Sequence, residues 1–351
     1  MLAMTKKSSK ALRAAFFVTF VFVVLTFLRL QRSSTYFNPH ITVQFGKQVD
    51  WSRFAYTQYV TDTDYLCNSV MLFESLHRLG SKADRLMMYP DYFSVSDDDN
   101  SREAKLLRIA RDKYGVRLRP IQVQSRDGGD QTWAESYTKL LAFNQTDYDR
   151  VLSLDSDSTV LQPMDELFLL PPSPVAMPRA YWLNPNDRTL SSQLILIQPS
   201  RFEFNRIMNA INNASSGDYD MEIMNDLYRD SAFVLPHRPY DLLTGEFRGK
   251  FHETYLGNPL EEWDPCAILN ETKFLHFSDW PVAKPWITAP QHIIEEKQPT
   301  CDFNPLTGQE DDCRALNIWL AIYDDFKKRR EVICYADTAI ASNQKDAFTT
   351  T

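Results

Sequence analysis

Glycine is scarce in this 351-residue chain, which has 10 Gly against 22 Phe, 16 Tyr and 7 Trp. So many aromatics, within a 44% hydrophobic content, exclude a disordered chain and allow a sizeable core in one large domain or two small ones. An excess of basic charge is missing as well. The 38 Lys and Arg face 46 Asp and Glu, a net charge of −8, which argues against non-specific nucleic-acid binding as the main activity. No G-x-x-x-x-G-K-[ST] loop and no second dense carboxylate cluster occur, which weakens a phosphotransferase or hydrolase reading. No internal repeat or low-complexity tract is visible. None of the five cysteines (Cys67, Cys266, Cys301, Cys313 and Cys334) sits in a C-x-x-C pair, so a structural zinc site is not expected.

Cys301 and Cys313 flank a stretch containing Pro, Gly and Asp, which suits a disulfide-closed loop in an oxidising compartment. Spacing alone leaves five ordinary thiols as an equal alternative. The number is odd, so at least one thiol stays free or pairs between chains.

At the N-terminus, Lys6, Lys7, Lys10 and Arg13 precede an uncharged run over 14–28, closed by Arg29 and Arg32. Fifteen residues are short for a span, but Ala11 and Leu12 extend the run and flanking arginines can snorkel. A cleaved signal peptide has the same start and centre, yet Arg-Leu-Gln-Arg is not a small-x-small cleavage site. The expectation is a cytosolic tail at 1–13, a single-pass type II membrane anchor at 14–28 and a polar stem at 29–50. A catalytic domain over 51–335 and a frayed polar tail over 336–351 follow. A short, Phe-rich span suits early secretory membranes, so the expected address is the Golgi or ER membrane with a lumenal domain. Sequons at Asn144, Asn213 and Asn270 agree with that side, Asn213 having the most loop-like surroundings.

Beyond the stem the chain alternates strand and helix. Strand patterns cover 54–60, 85–89, 116–123, 150–154 and 192–200. Helical patterns cover 65–79, 101–114, 133–143, 201–212 and 219–228, with Gly80 and Gly115 just past the ends of the first two. Repeated β-α-β units predict an α/β fold with a mostly parallel sheet covered by helices on both faces. Ligands in such sheets bind beyond the carboxyl ends of the strands. The stretch 236–305 is rich in Pro, Trp and His with little regular pattern, as binding loops are.

The triplet Asp155-Ser156-Asp157 follows the buried strand pattern over 150–154. Two carboxylates at such a bend suit Mg²⁺ or Mn²⁺, which take oxygen ligands together with substrate phosphate oxygens. A helix cap or turn is the plain alternative, and Asp62-Thr63-Asp64 has the same spacing. A second constellation runs from Phe274 through His276 and Lys284 to Trp286. On its own, His276 reads as a core histidine and Lys284 as a solvated lysine. Together they offer an imidazole ligand and a cation for a diphosphate.

Six segments occur in one order over about 54–286. They are Tyr59 to Tyr65; Tyr137-Thr138-Lys139-Leu140; Leu152 to Leu161 with Met164 to Phe168; Ile197 to Ser200; Tyr219-Asp220 with Asn225; and His276 to Trp286. In these the chain resembles the glycogenin-like retaining glycosyltransferases (family 8), and among them a fungal N-acetylglucosaminyltransferase-like branch. The resemblance implies a GT-A (Rossmann-like) fold, a UDP-sugar donor, a glycan acceptor and a divalent metal, usually Mn²⁺. It implies Asp155, Asp157 and His276 as metal ligands and Lys284 on the diphosphate. It further implies Thr61, Asp62 and Tyr65 at the nucleoside, Lys139 near the donor sugar, and Asp220 on the sugar's reacting face. Transfer of GlcNAc with retention is the expected activity, glucose or galactose being the alternatives.

The chain departs from the family pattern at three places. Ser191-Ser192-Gln193 stands for Asn-Ser-Gly, Tyr219-Asp220-Met221 for Gly-Asp-Gln, and seven residues separate His276 from Lys284. A lumenal lectin that kept the fold and lost catalysis is the non-enzymatic rival.

Overall fold

The computed structural model describes residues 48–125, 135–215 and 217–335. The membrane run at 14–28, most of the stem and the tail after 335 lie outside the described residues. Among the described residues, no helix is long and apolar enough to cross a membrane. The chain divides into two compact units, Met1–Val49 and Asp50–Thr351, and the fold below is that of the second.

Its centre is a seven-stranded sheet of β1 (Phe54–Tyr59), β2 (Asp84–Pro90), β3 (Val116–Ile121), β4 (Arg150–Leu154), β6 (Val175–Pro178), β7 (Leu194–Ile197) and β8 (Phe233–Leu235). The spatial order is β3-β2-β1-β4-β7-β6-β8. The β3-β2, β2-β1, β1-β4 and β6-β8 pairs are parallel, while β7 runs antiparallel to both β4 and β6. The mostly parallel sheet is therefore present, but β7, expected over 192–200, departs from the repeated β-α-β expectation. Between β4 and β7 the chain passes through short connections, without the crossover helix that parallel pairing needs.

Alternation along the strands builds two cores, since successive side chains point to opposite faces. Tyr56, Met87, Leu152, Leu154, Leu194 and Leu196 join one apolar cluster. Ala55, Leu86, Met88, Val151, Ile195 and Ile197 join the other. A sheet buried on both faces explains why β7 reads as an unbroken apolar run and why β4 is buried at every position, Arg150 and Ser153 included.

On the first face lies α1 (Thr63–Arg78), capped by Asp62, whose carboxylate accepts from the Asp64 and Tyr65 amides at 2.8 and 2.9 Å. It ends at Gly80, which adopts a positive φ of 72°. The charged-face pattern over 101–114 forms as α2 (Arg102–Arg108) running into a π turn at Ile109–Lys113. On the other face the expected 133–143 helix is a 3-10 segment at Ser136–Asn144, with α3 (Arg201–Asn213) and α4 (Asp220–Tyr228) beside it.

The region expected to be irregular holds short strands. β9 (Leu242–Leu243) and β10 (Phe274–His276) join β5 (Ser158–Val160) in a three-stranded sheet, and α5 (Pro265–Glu271) precedes β10. A 21-residue helix, α6 (Arg314–Cys334), packs on α1. Arg330 reaches Asp64 at 2.6 Å and Arg329 reaches Glu74 at 2.7 Å. Cys334 is disulfide-bonded to Cys67, Cys301 to Cys313, and Cys266 is free and exposed. The loop disulfide suggested by spacing is thus present, alongside a long-range one that spacing does not indicate.

Candidate active site

β4 carries buried residues to Leu154, and the chain then bends through Asp155-Ser156-Asp157 into β5. The bend is tied through the backbone of Asp155, once by another backbone group and once by a side chain. Asp155 N–H donates to the Gln193 carbonyl at 3.0 Å, and the Gln58 side-chain Nε2 donates to the Asp155 carbonyl at 3.1 Å. β5 then pairs antiparallel with β10, setting His276 opposite Ser158, the residue after Asp157. That register carries His276 to the triplet.

One ligand atom each from Asp155, Asp157 and His276 lie within 4.8 Å of one another. His276 Nε2 stands 2.9 Å from Asp157 Oδ1 and 3.7 Å from Asp155 Oδ2. Neither contact has hydrogen-bond alignment, and both ring nitrogens are buried without an aligned partner. Buried polar atoms without partners are rare, and donors converging on one point fit an ion between them. Carboxylate oxygens with one imidazole suit Mn²⁺ or Mg²⁺. Lys284 Nζ lies 2.7 Å from Asp157 Oδ2 and also donates to the Phe277 carbonyl. Burial pushes the Asp157 carboxyl up, but His276 and Lys284 outweigh it and hold the carboxyl well below its ordinary range. For His276 burial works downward and Asp157 wins, so the imidazole titrates higher than usual.

A second ion-paired set lies beside the first. Lys139 is buried, with Nζ 2.7 Å from both Asp155 Oδ1 and Asp220 Oδ2. Burial disfavours its charge, yet the two carboxylates raise its pKa above the ordinary value. Asp220, the first residue of α4, also accepts from the Ser192 hydroxyl at 2.7 Å. Lys139 thereby ties Asp220 to Asp155.

The first-strand residues divide. Thr61 is buried and its carbonyl accepts from the Tyr92 hydroxyl at 3.3 Å. Asp62 is the α1 cap, so its carboxylate is engaged by backbone amides. The Tyr65 ring meets Trp286 edge-on at 5.6 Å, next to the Lys284 segment.

Three residues at this site were given no role from the sequence: Ser192 and Tyr59, named only within longer segments, and Asp241. The Tyr59 hydroxyl is pushed well above its ordinary value by burial, then by Asp155 and Asp220. Asp241 is wholly buried just before β9, and neither of its oxygens has an aligned hydrogen-bond partner. Burial pushes its carboxyl up to about 7, against the lowering influence of Ser191 and His276. An Asp directly before the apolar pair Leu242-Leu243 was the only sequence signal for it.

No family model matches the chain. It is 59% identical over 291 residues to glucose N-acetyltransferase 1 of Gibberella zeae, covering 82% of this chain and 63% of that protein. It is 47% identical over 346 residues to glucose N-acetyltransferase 1 of Aspergillus fumigatus, covering 94% of this chain and 89% of that protein. Among solved structures, the apo WbbM bifunctional glycosyltransferase aligns with a TM-score of 0.49 and 18% identity, over 69% of this chain and 48% of that one. By its match to the Aspergillus fumigatus protein, at 47% identity over 89% of that protein's length, the chain belongs to the glucose N-acetyltransferase family and is an enzyme.

Proposed function

We propose that the chain is a metal-dependent hexosyltransferase of GT-A type that moves a sugar from a UDP-sugar to a glycan hydroxyl with retention at the anomeric carbon. The observation that carries this is the meeting of Asp155, Asp157 and His276 with Lys284 at the end of a central strand. A bound Mn²⁺ or Mg²⁺ supplies Lewis-acid neutralisation of a departing diphosphate. The chain's own residues do the rest. Lys284, held on Asp157, brings a cation to the diphosphate. Asp220, fixed by Lys139 and Ser192, presents a carboxylate to the positive charge developing at the anomeric carbon. The acceptor's proton passes to the leaving phosphate oxygen on the same face, so no strong base is required.

The relatives' name, taken literally, is acetyl transfer to glucose. Glucose offers hydroxyls and no nitrogen, so N-acetylation of it lacks an acceptor atom, whereas transfer of an N-acetylglucosamine unit needs only a hydroxyl. UDP-GlcNAc is therefore the proposed donor, with UDP-glucose and UDP-galactose as the alternatives. Two disulfides fit an oxidising lumen and support the proposed ER or Golgi address, the 14–28 run serving as a type II anchor.

The test is UDP release from a UDP-sugar panel with glycan acceptors, with and without Mn²⁺, alongside acetyl-CoA with glucose. Metal-dependent UDP release is expected, and replacing both Asp155 and Asp157 by Asn should lower it by at least about a hundredfold. Acetyl-CoA consumption with no UDP release from any donor overturns the proposal.

A further inference from the structure

The segment between His276 and Lys284 is held at both ends on one carboxylate. His276 Nε2 and Lys284 Nζ lie 2.9 and 2.7 Å from the two oxygens of Asp157. The intervening residues are well packed. Phe277 is 1% exposed, Asp279 6% and Val282 8%, and between Thr272 and Trp286 only Trp280 is exposed. Its exposure is 90%. An indole left in water forgoes the free energy of burial, so a tryptophan is a costly choice for an exposed loop tip.

The loop tip is rigidly based. Asp279 accepts from Trp319 Nε1 at 2.6 Å and from the Tyr323 hydroxyl at 3.1 Å, both on α6, and its side chain is ion-paired with Arg248. Val282 N–H donates to the Asp279 carbonyl at 2.8 Å, closing a turn with Trp280 inside it. On the other side Gly245 N–H donates to the Ser278 carbonyl at 3.2 Å. A Cβ on Gly245 would stand 2.9 Å from that carbonyl oxygen, so only glycine lets the two backbones approach this closely. The fold thus pins Ser278, Asp279 and Val282 around Trp280 and leaves the indole in solvent, on the strap that joins the candidate imidazole ligand to the candidate phosphate cation.

We propose that Trp280 is the platform on which a sugar ring of the acceptor glycan stacks, making it a specificity-determining residue of the site. A flat aromatic face, amphipathic and low in conformational entropy, matches the C–H face of a pyranose, and a rigid base avoids an ordering cost on binding. The inference rests on the hexosyltransferase reading, because it places the acceptor beside the donor.

The test uses the full chain and mannose-, glucose- and galactose-terminated trisaccharides, with binding read by saturation-transfer NMR and by quenching of tryptophan fluorescence. Trp280→Ala is expected to weaken the best-bound trisaccharide about tenfold, and Trp280→Phe to recover most of the loss. The rise in melting temperature given by UDP with Mn²⁺ stays in both variants, which shows that fold and donor site are intact. A second variant, Gly245→Ala, moves the loop and weakens the same trisaccharide with Trp280 still present. Trisaccharide binding within twofold of the parent in Trp280→Ala overturns the assignment. Failure of the parent to release UDP from any donor counts against the hexosyltransferase reading alone, because trisaccharide binding is measured without donor.

Discussion

At the residue scale, the site is organised by charge taken out of water. Lys139 sits between Asp155 and Asp220, all three at least nine-tenths buried. Removing one member of a buried ion set leaves the others uncompensated, so Lys139→Met should cost about 3–5 kcal/mol in denaturant unfolding. Adding Asp220→Asn should return part of that loss, and a double variant as unstable as the single one contradicts the arrangement. Asp241 poses the opposite case. Its folded carboxyl titrates near 7 against an ordinary 3.8, so the folded state holds this proton more tightly than the unfolded state does. Its favourable contribution is therefore complete below the ordinary carboxylate pKa and is lost as pH rises through about 7. Asp241→Asn should melt higher relative to the parent at about pH 8 than at about pH 5, measured with EDTA present. A constant difference between the two pH values contradicts this account. Neither residue's surroundings could be read beforehand, because a carboxyl's environment is made by elements distant in the chain.

At the scale of elements, the legible parts were those with local periodicity. The strand 150–154 and the helix expected over 65–79 follow from apolar periodicity, the helix starting two residues earlier than expected, at Thr63, where Asp62 caps it. The reversed direction of β7 was not legible, since a doubly buried strand has the same composition in either direction. α6 also went unassigned. Its buried Ala315, Trp319, Phe326 and Arg330 do fall at helical intervals, so that pattern could have found it. α6 is fastened to α1 by the Cys67–Cys334 bond and by Arg329 and Arg330. Replacing Cys67 and Cys334 by Ser should lower stability by about 2–5 kcal/mol, read as a fall in melting temperature that the Cys301→Ser/Cys313→Ser pair does not match. The two bonds close loops of very different length, with sequence separations of 267 and 12. The longer one constrains far more of the unfolded chain.

At the scale of the whole molecule, the two apolar clusters, one on each face of the sheet, hold the C-terminal end of β4 as a fixed platform. The late strand β10 adds His276 to that platform, and α6 closes over the segment beyond it. A ligand that joins these parts stabilises all of them together. UDP with Mn²⁺, at a hundredfold excess over its dissociation constant, should add about 2.7 kcal/mol to unfolding and raise the melting temperature. Neither UDP alone nor Mn²⁺ alone should match the pair. An equal shift from UDP without metal contradicts the three-ligand site.

The sequence by itself determined the alternation of strands and helices and the acidic bend after a buried strand. It also determined the ordered segments that pointed to a sugar transferase. Each of these is local, set by side-chain period or by residues within one turn. Only the tertiary structure decided that β5 and β10 pair with His276 opposite Ser158, that Lys139 joins Asp155 to Asp220, and that Asp241 is buried beside them. Strand register and burial are settled by contacts between residues far apart in the chain, so no window of sequence contains them.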